Sequence, residues 1–206
     1  MSLRTSLLSD ALDHAGRRRQ CLAPDIVPLS GGRLEGRAFP FVLERVDAPS
    51  DPPYRGLLRA LDAVPAGAVV VIPGGRAKDA ALFGELMATA CMARGAAGAV
   101  CEGYVRDLPE VRASGFALFG CGTVPYDIDG RFEVIAHGEP VEIDGVLVEP
   151  GALVVADEDG VVVVPPEVEG EVIGAAREKE SRESEFRAAV AAGMPAAEAY
   201  ERFGVL

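Results

Sequence analysis

Arg106 and Asp107 stand side by side about twenty residues after Gly84, and these positions together could hold and polarise an anionic, oxygen-rich ligand. Arg106 offers a permanent, forked positive charge, and Asp107 offers a hard oxygen ligand for a divalent cation. Gly84 sits where a helix is expected to begin. There the first backbone N–H groups lack intrahelical partners, and with the helix dipole they favour a carboxylate or a phosphate. A glycine at that point lets such a ligand approach the backbone closely.

The surrounding elements must bring these groups to one place. Ala68-Val-Val-Val-Ile72 is an unbroken apolar run rich in β-branched residues, stopped by Pro73-Gly74-Gly75, as expected of a strand covered on both faces. From about Phe83 to Ala93, Leu82, Leu86, Ala90 and Ala93 recur at helical spacing, and Gly95 closes the run. Gly98 to Cys101 reads as a second buried strand, with Glu102 to Asp107 as the loop leaving it. Strand, helix, strand implies a parallel crossover. Ligands of parallel sheets bind beyond the carboxyl ends of the strands, so the helix start at Gly84 and the Arg106-Asp107 loop belong on the same rim.

The remainder reads as support. Ser2 to Ala15 carries Leu3, Leu7, Leu8, Ala11 and Leu12 on one helical face, with Thr5 or Ser6 as caps and Asp10, Asp13 and His14 in solvent. Arg17-Arg18-Arg19 reads as a solvated helix exit. Gly36 to Val46 alternates as a strand, Asp47 to Pro53 forms a turn, and Leu57, Leu58 and Leu61 mark a short helix. Phe116 to Phe119 is another strand. Between Arg131 and Pro165 short valine-rich strands are punctuated by Asp129-Gly130, Asp144-Gly145 and Asp159-Gly160, a hairpin signal. Val168, Val172, Ile173 and Ala176 start a helical stripe through the charged segment Arg177 to Arg187, read as a solvated face, and Pro195 to Phe203 closes with a short helix.

The 206 residues suit one domain spanning 1–206, with length enough for a substantial core. A net charge of −12 speaks against the phosphate backbone as a ligand, because nucleic-acid binders need a basic face. No apolar run is long enough to cross a membrane or to resemble a signal peptide, so a soluble cytoplasmic protein without membrane or nucleic-acid partners is expected. Cys21, Cys91, Cys101 and Cys121 show no C-x-x-C pairing and read as buried reduced thiols. Gly31-Gly32-Arg33 and Gly120-Cys121-Gly122 fail to complete a dinucleotide fingerprint, Pro73 to Asp79 lacks the ending of a phosphate loop, and His14 and His137 are too far apart for zinc spacing.

Gly84-Glu85-Leu86-Met87, Arg94-Gly95, Gly98, Gly103-Tyr-Val-Arg106-Asp107 and Gly122-Thr-Val-Pro125 resemble the RraA-like family, and the likeness runs from Leu3 to the strand ending at Pro165. That family contains 4-hydroxy-4-methyl-2-oxoglutarate (HMG) and 4-carboxy-4-hydroxy-2-oxoadipate aldolases and proteins called regulators of ribonuclease activity. The resemblance implies an α/β fold of the swivelling β/β/α type, assembled as a homotrimer or a hexamer made of two trimers, and a class II aldolase that yields pyruvate. It implies that the backbone of Gly84, Glu85, Leu86 and Met87 holds the pyruvyl carboxylate, Arg106 contacts the keto oxygen, and Asp107 binds Mg²⁺ or another divalent cation such as Mn²⁺. Glu85 would orient or deprotonate a water near the metal. Glu102 stands where the family often has Asp, and Glu178, Glu180 and Glu183 could assist from a neighbouring subunit. Oxaloacetate decarboxylation passes through the same enolate. The alternative is a non-catalytic regulator that binds a ribonuclease or RNA-helicase assembly through its acidic surface. Methyl transfer from S-adenosylmethionine is not expected, for want of a Gly-rich nucleoside loop.

Overall fold

In the computed structural model, which describes residues 3–206, the chain begins with α1 (Thr5–His14), β1 (Val27–Ser30), β2 (Leu34–Arg45), α2 (Arg55–Asp62) and β3 (Ala68–Ile72). It continues through β4 (Ala81–Phe83), α3 (Glu85–Ala93), β5 (Gly98–Cys101), β6 (Tyr104–Val105), α4 (Leu108–Ser114), β7 (Leu118–Gly120) and β8 (Gly122–Thr123). The last part holds β9 (Phe132–His137), β10 (Val141–Ile143), β11 (Val146–Val148), β12 (Leu153–Asp157), β13 (Gly160–Val164), α5 (Glu169–Ala191) and α6 (Ala196–Phe203).

The main sheet runs β1-β7-β5-β3-β2-β12-β13, and β7, β5, β3 and β2 are mutually parallel. Every residue of β3 is buried. Its side chains alternate: Ala68, Val70 and Ile72 enter a core shared with α2 and α3, while Val69 and Val71 enter a second core closed by the β10–β11 hairpin. That double burial is why the strand is a continuous apolar run rather than an alternating one. A third core packs Leu7, Leu8 and Leu12 of α1, with Val172 and Ala176 of α5, against β12 and β13. Each such leucine contributes roughly 1.5–3 kcal/mol by leaving water.

A second, three-stranded parallel sheet, β4-β6-β8, lies just beyond the first. β6 follows β5 after Glu102-Gly103, and β8 follows β7 after Cys121. This corrects two expectations. The helix starts at Glu85 and not at Phe83, because Phe83 is paired with Val105 in the small sheet. The stretch leaving Cys101 is likewise partly strand. Similarly, the strand expected from Phe116 begins at Leu118.

Asp144-Gly145 closes the β10–β11 hairpin with both residues at positive φ, as a primed turn requires, and Glu158-Asp159 form the turn between β12 and β13, with Gly160 opening β13. Asp129-Gly130 is different. It leads into β9, which pairs with the far half of β2, a strand long enough to serve two partners in succession.

Helix α1 departs from expectation at its start; Ser2, proposed as its first residue, lies outside the described residues. Arg4 occupies the N-cap without a side-chain bond, whereas the Thr5 hydroxyl and N–H both donate to Asp157, at 2.6 and 2.9 Å. Thr5 is buried, so its hydroxyl ties α1 to the sheet instead of capping the helix. Nor is the charged face of α5 simply solvated: Lys179 reaches Asp10 at 2.5 Å and Glu183 accepts from Arg4 at 2.6 Å. Of the four free thiols, Cys91 and Cys101 are buried, Cys121 is half-buried and Cys21 is exposed. Burial alone pushes the Cys91 thiol up to about 12. Cys21 sits at the sheet edge, bridged to Val162 of the outermost strand β13. No helix among the described residues is long and apolar enough to cross a membrane.

Candidate active site

The small sheet brings the two halves of the site together. Phe83 ends β4 and Val105 ends β6; these residues pair, and the Arg106 N–H donates to the Phe83 carbonyl at 2.9 Å. The next residue on one side is Gly84, at the N-cap of α3, and on the other side come Arg106 and Asp107. A Cβ at position 84 would lie 3.1 Å from Arg106 Cγ and 3.2 Å from Asp107 Oδ2. The Gly84 backbone is extended (φ −157°, ψ −174°), so glycine is needed here for space and not for conformation. No side chain caps α3, and its first turn faces a hollow of about 290 Å³ bordered by Gly84, Leu86, Met87, Arg106, Asp107 and Asp127. Beyond Arg106 and Asp107 a second, more open hollow of about 570 Å³ is bordered by Arg112 and Thr123.

Arg106 is held between two carboxylates. Its Nε lies 3.5 Å from Asp107 Oδ2, and its Nη1 lies 3.1 Å from Asp127 Oδ2. Asp127 is fixed in turn by the Tyr54 hydroxyl, donating at 3.0 Å, and by the Asp129 N–H at 3.2 Å. Burial pulls the Asp127 carboxyl up, but hydrogen bonds from Asp129, Tyr54 and Arg106 outweigh it and hold the group below its usual value. The Tyr54 hydroxyl is pushed up, by burial first and then by its bond to ionised Asp127. Tyr54 itself sits at φ 60°, a left-handed conformation that costs a non-glycine residue on the order of 1 kcal/mol or more.

Asp107 is also left-handed, at φ 55°. It occupies the N-cap of α4, where an aspartate ordinarily accepts from the helix amides, yet it makes no capping bond. Its carboxylate is 48% exposed and turned toward Arg106. Such a group, half in water and committed to no backbone donor, suits a cation that keeps most of its own waters, as Mg²⁺ does. Among the described residues no set of three or more His, Cys, Asp or Glu side chains is gathered to hold a metal.

The other expected residues fall as follows. Leu86 and Met87 border the hollow. Glu85 stands in the first turn of α3, but its Oε1 accepts from Thr89 at 2.8 Å, and its side chain does not border the hollow. Glu102 is buried and takes three donors, the Gly74 and Gly75 N–H groups at 3.1 and 3.0 Å and Arg76 at 3.1 Å, so it clamps the ends of β3 and β5 together. Glu178 and Glu180 lie on α5 with Glu183, which is taken by Arg4. Asp127 and Tyr54 escaped the sequence reading. Their only local signals were a carboxylate shortly after the Gly122-to-Pro125 exit and an aromatic residue closing a proline-rich turn, and neither names its partner.

Comparison with known proteins bears on this arrangement. The sequence profile of the RraA-like family, described as Aldolase/RraA, matches residues 5–163. DlpA of Legionella pneumophila is 29% identical over 200 residues, covering 95% of this chain and 32% of that protein. A 4-hydroxy-4-methyl-2-oxoglutarate aldolase of Thermus thermophilus is 34% identical over 109 residues, covering 52% of this chain and 65% of that enzyme. The chain thus spans less than two thirds of the length of either relative. The crystal structure of Streptomyces coelicolor RraAS2, described as an unusual member of the RNase ES inhibitor RraA protein family, superposes with a TM-score of 0.81 at 29% identity, covering 90% of this chain and 91% of that one.

Proposed function

The chain belongs to the RraA-like family and shares its α/β fold, and from that premise we propose that it is a divalent-metal-dependent class II aldolase cleaving 4-hydroxy-2-oxo acids to pyruvate, with oxaloacetate decarboxylation open to the same site. The observation that carries this reading is the meeting of the uncapped α3 terminus, Arg106 and the Asp107 carboxylate, which makes no capping bond, around one hollow. The activity named for the Thermus thermophilus relative supports the reaction class.

In this reading the pyruvyl carboxylate rests on the N–H groups of the Gly84-to-Met87 turn, where the helix dipole favours it. Arg106 would meet the C2 oxygen, and Asp107 is the residue that would hold Mg²⁺ or Mn²⁺. The cation, when bound, supplies Lewis-acid polarisation of that oxygen. Cleavage removes the proton of the C4 hydroxyl and breaks the C3–C4 bond. The electron pair passes to C3 and is shared with the C2 oxygen, and a proton delivered to C3 completes pyruvate. Arg106 meets charge where it develops, worth about 2–4 kcal/mol of barrier by analogy with other oxyanion donors. Asp127 and Tyr54 act through Arg106: they fix its guanidinium beforehand, so that little reorganisation is needed during the reaction. Water receives the hydroxyl proton, and Glu85, bonded to Thr89 and outside the lining of the hollow, would act at most by orienting that water.

Pyruvate release from HMG and from oxaloacetate, with and without Mg²⁺, tests the proposal. Arg106→Ala and Asp107→Ala should each abolish most of it, and unchanged release from both variants would remove the site assignment. A ring that regulates a ribonuclease or RNA-helicase assembly is the second reading, favoured by the likeness to RraAS2. Absence of turnover across 2-oxo acids together with retention of a ribonuclease would decide for it. We assign a trimer or hexamer as the working assembly, to be read by light scattering.

A further inference from the structure

Resting on the aldolase reading, we infer that the Tyr54 hydroxyl gives C3 of the pyruvyl fragment the proton that completes pyruvate, a catalytic role beyond its bond to Asp127.

Three features deliver this hydroxyl to the site. Tyr54 is the N-cap of α2 in a left-handed conformation, and its carbonyl accepts from the Leu58 N–H at 2.9 Å, so the first turn of the helix fixes its backbone. Strain of this kind persists where the surroundings over-determine it, and it concentrates at functional sites. The ring packs half-buried against the core shared with α2 and α3. The hydroxyl donates at 3.0 Å to Asp127 Oδ2, the same oxygen that lies 3.1 Å from Arg106 Nη1. One carboxylate oxygen thus stands between the phenol and the guanidinium, and Tyr54, Arg106 and Asp127 border a common hollow with Gly84. All of these groups belong to one chain, and their contacts do not depend on how far a neighbouring subunit closes the hollow.

The chemistry asks for a donor at this place. Cleavage leaves an electron pair shared between C3 and the C2 oxygen, and C3 is two bonds from the oxygen that Arg106 would meet. Apart from carboxyl groups, the side chains of this chain that border the hollow offer two donors, Tyr54 and Arg106. A guanidinium does not give up its proton in a protein, which leaves the phenol. The donors around Asp127 hold its carboxyl below the usual range, so it accepts rather than gives. Burial and the ionised Asp127 push the Tyr54 hydroxyl up, so it keeps its proton until the carbanion demands it, while nearby Arg106 eases the passing phenolate. In the transfer the pair on C3 forms the C3–H bond and the O–H pair stays on the Tyr54 oxygen. The proton lost by the C4 hydroxyl, taken up by water, restores the phenol, so atoms and charge balance without a further reactant.

The test is hydrogen–deuterium exchange at the methyl group of pyruvate, followed by proton NMR with the full chain and Mg²⁺ in D₂O, beside consumption of oxaloacetate. Exchange reads proton transfer at C3 alone, whereas oxaloacetate is consumed once its carbon–carbon bond breaks. Tyr54→Phe should lower exchange about a hundredfold or more, the contribution of a positioned acid or base. Oxaloacetate consumption should fall no more than about tenfold, through the lost hold on Asp127 and Arg106. In the return direction the phenolate takes the methyl proton, so exchange should rise with pH. Placing 3-fluorotyrosine, a more acidic phenol of nearly the same shape, at position 54 should carry that rise to lower pH. Full exchange in Tyr54→Phe, losses of exchange and consumption in equal proportion, an unmoved pH profile with 3-fluorotyrosine, or a wild type that cleaves without exchanging would each overturn the inference and leave the aldolase reading in place, with water as the donor. A wild type that neither exchanges pyruvate nor consumes oxaloacetate or HMG overturns both.

Discussion

Replacing Gly84 by alanine isolates the geometry on which the site depends. The new Cβ would stand 3.1 Å from Arg106 Cγ and 3.2 Å from Asp107 Oδ2, closer than ordinary contact, so both side chains must give by a few tenths of an ångström. The backbone need not move, since alanine adopts the extended conformation of this residue freely. Stability should therefore change little: alanine is a poorer N-cap than glycine by about 0.5–1 kcal/mol, which is about 1–4 °C in Tm for a chain of this size. Activity should change more. A displacement of 1 Å can cost about a hundredfold, so a shift of a few tenths should lower kcat/KM about five- to tenfold. Steady-state pyruvate release, run beside thermal denaturation on the same preparations, separates the two. Full activity in a well-folded Gly84→Ala protein would refute the view that Arg106 and Asp107 work from against this glycine. A fall in Tm beyond about 10 °C would show instead that the backbone itself was disturbed.

Asp127→Asn keeps the volume but removes the charge that holds Arg106, and kcat/KM should drop about tenfold with Tm nearly constant; equal activity would free Asp127 of its positioning role. Because the folded Asp127 carboxyl lies below its usual value of 3.8, its hold on Arg106 is complete above the ordinary carboxylate range and is lost only as pH falls through that lower folded value, so the variant's deficit should be flat from about pH 5 to 8. Thr5→Val deletes the 2.6 Å bond to Asp157 and should cost about 1.5–3 kcal/mol in urea denaturation at pH 7. Burial raises the Asp157 carboxyl, but the Thr5 hydroxyl and N–H outweigh it and hold the group low, so the difference should shrink as acid protonates Asp157. Glu102→Leu leaves the Gly74 and Gly75 amides and Arg76 without their shared acceptor and should cost about 3 kcal/mol, read by the same denaturation. Chelation should stop pyruvate release without altering circular dichroism, and added Mg²⁺ or Mn²⁺ should restore it; activity that survives exhaustive chelation would contradict the metal-dependent reading.

β3 and β5 were legible to the residue, because a strand buried on both faces needs a run of β-branched apolar residues and such a run admits few alternatives. The spacing of Gly84 from Arg106 and Asp107, and their place beyond the carboxyl ends of parallel strands, were equally open to reading, since a helix start and a crossover leave local marks. Tertiary structure alone decided what those residues meet. The pairing of β4 with β6, two elements too short to show periodicity, draws Gly84 against Asp107. Asp127 reaches Arg106 and Tyr54 reaches Asp127 from separate turns, and Thr5 serves Asp157 instead of its own helix. A hydroxyl or a carboxylate looks the same in sequence whatever its partner, because hydrogen bonds between distant segments depend on packing that no local pattern encodes.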